Sequence, residues 1–220
     1  MNSTPKHPYM TTKHFLSRFF LLLAIACAAS YCFAQQTTLI SGKYWATTNL
    51  NVTKFRNGDP IPEVKNVDDW VKACDKNKPA WCYYDNKPEN GAKYGRLYNW
   101  AAVKDPRGLA PAGWHIATDD EWWGMIQDLG GMNGAAPGNM KATGGWKENG
   151  NNSSGFNAIP GGARTAPGAK FYGISEYTFW WSMPEPIDRN YFRNIKFYTN
   201  AITSSPDASW EGMYVRCIKD

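Results

Sequence analysis

Leu109-Ala-Pro-Ala-Gly-Trp-His-Ile-Ala-Thr-Asp-Asp-Glu-Trp-Trp-Gly-Met-Ile-Gln-Asp-Leu-Gly130 joins the clearest short strand of the chain to its best helix. Pro111 and Gly113 mark a turn, and Gly113–Ala117 reads as a strand. Thr118 is a natural helix cap, and Glu121 three residues on completes a capping box. Asp119, Asp120 and Glu121 crowd the first turn, where the helix dipole favours negative charge. Trp122, Met125, Ile126 and Leu129 recur on one helical face. Gly130 and Gly131 end the helix. A strand feeding an amphipathic helix has one apolar side to bury, and the rest of the chain must supply its cover.

Upstream, Lys6, Lys13 and Arg18 precede the apolar run Phe19–Ala26, which is too short to span a bilayer. That pattern predicts a signal peptide over residues 1–34, cleaved after Ala34, and hence secretion or cell-surface display without a retained membrane span. Ala24-Ile-Ala-Cys27 loosely resembles a bacterial lipoprotein cut site, but the apolar residues after Cys27 argue against it. Of 220 residues, cleavage leaves 186, the size of one domain. These carry 21 Lys and Arg against 19 Asp and Glu, with no basic stripe, which argues against nucleic acid as a partner.

The apolar inventory is aromatic. After Ala34 there are 11 Trp, 10 Tyr and 6 Phe, against 21 Leu, Ile and Val together. Each ring buries about 150–250 Å², so a few suffice for a core. Gly and Pro are spread throughout and deny the chain long helices. The expectation is an α+β fold, loop-rich, with short antiparallel strands and one or two helices. Residues 35–44 read as a flexible lead-in and 45–220 as the domain. Asn66–Cys74 is a helix candidate capped by Asn66. Ala80–Tyr84, Phe156–Arg164, Thr178–Ser182, Tyr191–Tyr198 and Gly212–Lys219 read as strands. Asp85–Gly91 reads as a loop. Trp180 and Trp181 point to opposite faces of their strand, so one of them should be core.

Three cysteines follow Ala34: Cys74, Cys82 and Cys217. An oxidising compartment favours one disulfide and leaves one thiol over. Cys74–Cys82 would close a short loop worth about 2–3 kcal/mol, and Cys82–Cys217 a long one worth about 5 kcal/mol, in the chain-entropy account.

Six segments now stand in order: Tyr94–Val103, Leu109–His115, Thr118–Trp122, Asn152–Phe156 with Ile159–Gly162, Phe179–Ser182 and Tyr214–Ile218. Together they resemble the Fibrobacter succinogenes major paralogous domain family over roughly Trp45 to Asp220. The resemblance implies a secreted or surface bacterial domain with a C-type-lectin-like fold, related at a distance to formylglycine-generating domains. Fold alone leaves function open. Many members carry a cysteine just before the Pro-x-Gly-Trp-His segment, pairing with one in the last strand. Here that position is Ala110, and the resemblance implies Cys82 as the substitute partner of Cys217, leaving Cys74 free.

His115 is the one histidine after the leader, which argues against a histidine triad or a His-rich metal site. Between Trp114 and Ile116 it reads as a hydrogen-bonded core residue. The sugar-binding calcium signatures Glu-Pro-Asn, Gln-Pro-Asp and Trp-Asn-Asp do not occur, so no metal and no cofactor is expected. Trp146, Tyr172, Tyr177 and Trp210 lie in Gly- or Ser-rich segments, where flat ring faces could stack on sugars. Arg164, after Pro160-Gly-Gly162, could hold a carboxylate or reach backbone carbonyls, and the second suits a loop-rich domain better. The expectation is a non-catalytic binding or adhesion domain for a polysaccharide or a surface protein. The alternatives are an enzyme related to the formylglycine-generating domains and a structural subunit of a surface assembly.

Overall fold

The described chain opens with a hairpin. β1 (Thr37–Ile40) and β2 (Lys43–Ala46) pair antiparallel across Ser41-Gly42, both at positive φ. The computed structural model describes residues 35–165, 168, 170–183, 191–196, 201–206 and 210–220. The signal peptide expected over residues 1–34, with cleavage after Ala34, lies outside them. The expectation of a flexible segment over 35–44 is therefore corrected. Ile40 and Trp45 bury in the core, and the Thr38 hydroxyl donates to the Ser154 carbonyl at 2.9 Å.

α1 (Val67–Asp75) starts at Asn66, whose side chain accepts from the Asp68 and Asp69 amides. β3 (Trp81–Cys82) pairs with β4 (Leu97–Tyr98). Between them Asp85–Gly91, read as a loop, instead enters α2 (Pro88–Tyr94). Proline opens this helix because its fixed φ suits the first turn and its missing N–H is not needed there. α3 (Trp100–Val103) is capped by Asn99. β5 (Trp114–Ile116) and α4 (Asp119–Asp128) form the strand–helix unit. The Glu121 amide donates to Thr118 Oγ1 at 3.3 Å, and the Thr118 amide donates to Glu121 Oε2 at 2.8 Å. α5 (Ala136–Met140) has Pro137 in its first turn. The expectation of one or two helices is thus exceeded by short ones, most of them started by a proline or a side-chain cap rather than by a long apolar periodicity.

The remaining strands are β6 (Gly161–Thr165), β7 (Lys170–Ile174), β8 (Tyr177–Ser182), β9 (Tyr191–Lys196), β10 (Ala201–Pro206), β11 (Tyr214–Val215) and β12 (Cys217–Lys219). One antiparallel sheet has the order β1-β2-β12-β5. A larger sheet has the order β10-β9-β8-β6-β7, with β11 added on β8. Two of its pairings are parallel, β8 with β6 and β8 with β11. The first follows from topology: β7 reverses the chain, the turn at Ser175 reverses it again, and β8 returns in the direction of β6.

β8 and the β11–β12 segment run between two buried clusters, and strand alternation distributes their side chains. Trp180, Tyr214 and Ile218 enter the first cluster, with Trp45, Trp122 and Phe156. Phe179, Trp181, Val215 and Cys217 enter the second, with Tyr98, Trp100 and Trp114. Both Trp180 and Trp181 are therefore core, where the sequence required one. The same alternation explains the cysteines. Trp81 faces the second cluster and Cys82 the first, so Cys82 and Cys217 face different cores. Cys74, Cys82 and Cys217 are all free thiols, and the Cys82–Cys217 bridge is not formed.

The first cluster closes around a buried cation. Trp45, Trp122, Phe156 and Trp180 meet ring to ring at 5.1–5.8 Å. The Arg216 guanidinium lies 4.5 Å from the centre of the Phe156 ring. It donates to Asn49 Oδ1 at 2.8 Å, to the Ala46 and Phe156 carbonyls at 2.6 and 3.0 Å, and to the Asn157 carbonyl at 3.1 Å. Burial pushes its pKa down to about 9, so it still carries its charge at neutral pH.

Candidate functional site

The structure separates the five candidate binding residues. Trp146 is 5% exposed, packs in the first cluster and donates its indole N–H to the Ala158 carbonyl at 2.8 Å. It lies in a loop as expected but is a core residue rather than an exposed binding candidate, because a Gly-rich segment lets the chain fold the ring inward. Arg164 is fully buried and donates to the Val64, Lys65 and Asn66 carbonyls at 2.8–3.2 Å. It also lies 4.5 Å from the Trp70 ring centre. Of its two readings, the carbonyl-binding one is realised. Trp210 is half-buried, donates its indole N–H to Asp75 and accepts from the Trp70 indole at its carbonyl, so it closes over α1.

Tyr172 and Tyr177 are different: the structure brings them together. Their ring centres are 5.7 Å apart, and Phe179 completes a triangle at 5.5 Å from Tyr172 and 5.8 Å from Tyr177. Tyr177 and Phe179 share a face of β8 because they are two residues apart, and their planes are stacked at 22°. Tyr172 is 39% exposed, and Ile174, two residues along β7, is exposed beside it. Gly173 makes this possible. It sits at φ +83°, and a Cβ there would lie 2.8 Å from the Tyr177 ring. The turn between β7 and β8 is held from outside. The Ser175 amide donates to the Pro160 carbonyl, its carbonyl accepts from the Lys147 amide, and Lys147 pairs with Glu176. The result is an aromatic shelf beside a supported turn.

A second feature was not read from the sequence. A surface cleft of about 590 Å³ opens beside β5. Leu109, Ile116 and Met183 form apolar parts of its wall, and Arg56, Lys104, His115 and Glu121 line it as well. His115 is no core residue. Alternation buries Trp114 and Ile116 and turns His115 outward. Its Nδ1 lies 2.6 Å from Asp220, and its Nε2 lies 2.9 and 3.1 Å from the two Glu121 oxygens. Lys43 meets Glu121 at 3.0 Å. Burial works against the imidazolium, but the two carboxylates outweigh it and raise the His115 pKa. Burial likewise opposes the Glu121 carboxylate, yet the Thr118 amide, His115 and Lys43 hold its pKa below the usual value. Sequence could pair His115 with Glu121 only through the strand–helix geometry, and Asp220 lies 105 residues away.

The family model for the Fibrobacter succinogenes major domain matches residues 39–219, nearly all of the described chain. The chain belongs to this family. The match begins inside β1, which agrees with a hairpin that is part of the domain. No curated protein and no solved structure matches the chain. For this member of the Fibrobacter succinogenes major domain family, the observations bearing on function are thus its own side chains. Among the described residues, no group of three His, Cys, Asp or Glu is placed to hold a metal ion, and no helix is long and apolar enough to cross a membrane.

Proposed function

We propose that this domain is a non-catalytic binding module that takes a polysaccharide on the Tyr172–Tyr177 shelf, on a protein exported to the outside of a bacterium. The observation that carries the reading is the meeting of these two tyrosines with Phe179 beside the anchored β7–β8 turn, with Tyr172 exposed. Flat rings bury the C–H face of a sugar while leaving its hydroxyls in water, so they favour glycans over purely apolar ligands. Export rests on the basic and apolar leader, and a lectin-like character of the α+β fold rests on the family resemblance. The test is a pull-down on a panel of insoluble polysaccharides together with affinity electrophoresis in soluble ones. Y172A/Y177A should reduce retention at least tenfold, since stacked aromatic faces are worth about 1–3 kcal/mol each in comparable ring stacking. Equal retention of parent and double variant, or no retention by any glycan, would sink the reading.

A further inference from the structure

We propose that the cleft beside β5 is a second binding site, specific for hexuronate sugars. The site is distinct from the tyrosine shelf and does not depend on it. At about 590 Å³ the cleft is within the range of about 300–1,000 Å³ of small-ligand sites. Its wall is mixed: Leu109, Ile116 and Met183 can meet the apolar face of a pyranose ring, and charged groups surround them.

The charges leave cations over. Asp105 is occupied by Arg107, which donates to it from Nε at 2.9 Å and Nη2 at 2.8 Å. Glu121 is occupied by Lys43, His115 and the Thr118 amide. Lys104, by contrast, is exposed and has no ion-pair partner among the described residues. Arg56 is held by the Ala110 and Trp114 carbonyls through Nε and Nη2, at 3.1 and 3.0 Å, with the Pro111 carbonyl 3.5 Å from Nη2, which orients the guanidinium; among the described residues Nη1 has no hydrogen-bond partner. A fixed guanidinium and an ammonium lining one cleft suit a carboxylate.

A phosphate is less well served. Two of the first-turn amides of α4, the usual anion cradle, are already taken: Glu121 N–H by Thr118 Oγ1 and Asp119 N–H by the Met183 carbonyl.

His115 makes the site pH-dependent. Facing it are Glu121 from α4 and Asp220, with Lys43 of β2 on Glu121, while Arg56 and Lys104 line the same cleft. While the imidazole is protonated, it balances the two carboxylates. When it loses its proton, they repel an incoming acid.

The test is titration calorimetry with trigalacturonate, and with the neutral trisaccharide galactotriose, at about pH 5.5 and pH 8. Trigalacturonate should bind and galactotriose should not bind in the cleft. K104Q should weaken trigalacturonate about fivefold, the order of one exposed ion pair. Binding should weaken severalfold from the lower to the higher pH in the parent and stay level in H115Q. Y172A/Y177A should bind trigalacturonate as the parent does. The proposal is overturned if trigalacturonate does not bind, if K104Q leaves its affinity unchanged, or if the tyrosine double variant loses it, which would move the acid to the shelf.

Discussion

Arg216→Lys keeps the charge in the core and removes the fork. Arg216 makes four hydrogen bonds from three nitrogens that lie in one plane. A lysine ammonium is a single point and can reach about two of those acceptors. Asn49 Oδ1 retains one donor, because the Trp180 indole N–H also reaches it at 2.8 Å. One or two buried carbonyls then fall short of a donor, at about 1–3 kcal/mol each. The expected loss is therefore about 2–4 kcal/mol for R216K, out of a total that is typically about 5–15 kcal/mol. Arg216→Met leaves all three carbonyls without it and should cost about 3–9 kcal/mol on the same basis. The assay is urea unfolding followed by Trp fluorescence, with the slope unchanged so that the midpoint reports stability. For a domain of this size, R216K should melt roughly 5–15 °C lower. If R216K unfolds within about 0.5 kcal/mol of the parent, the value of a surface substitution, the guanidinium is not the tie that holds the Ala46, Phe156 and Asn157 backbones together.

The His115 clamp should show itself in stability against pH. Its folded pKa is raised, so its contribution is present in full below about 6.5 and is lost as pH rises through the folded value. H115N should flatten that part of the profile, and an unchanged slope would refute the clamp. Burial pushes the thiols up, Cys74 to about 11 and Cys82 and Cys217 to about 12. A maleimide at neutral pH should therefore leave these three unlabelled in the native protein and label all three after unfolding without reductant, as peptide mapping would show; a pair that stays blocked when unfolded would reveal a bridge. Ala110 and Cys217 are buried in one cluster, and the family resemblance implies a cysteine pair at these two positions. In A110C the introduced thiol should therefore oxidise with Cys217 to a bridge that stabilises by about 4–5 kcal/mol, as a loop of this length predicts, and failure to cross-link would place the two sites too far apart. G173A should push the Tyr177 ring off the shelf and weaken glycan retention as strongly as Y177A, and full retention would show that the ring position is immaterial.

What sequence revealed was what short range controls. Thr118 and Glu121 are three residues apart, and their capping box needs nothing else from the fold. Asn66 and its helix are legible for the same reason. The family resemblance was legible too, because motif order survives where fold cannot be computed by eye. Burial is a tertiary outcome and was less legible. Trp146 and Trp210 sit in loop-like segments, yet one closes a core and the other a helix flank. Trp180 and Trp181 could be assigned opposite faces but not two cores. The His115 cluster was hidden because its members come from β2, β5, α4 and the last residue. The tyrosine shelf was half legible: both residues could be named, but their meeting depends on the pairing of β6 with β7 and on Gly173.

The first sheet has a mechanical consequence. β1 and β12 run the same way on either side of β2, with Trp45 opposite Ile218 and Thr37 opposite Ala46. Force applied through the two chain ends therefore pulls β1 backward and β12 forward along their own axes. The hydrogen bonds on both flanks of β2 lie across that direction, so they are loaded together in shear rather than peeled one at a time. A domain tethered at one end and gripping a ligand would meet tension with its stiffest arrangement of bonds.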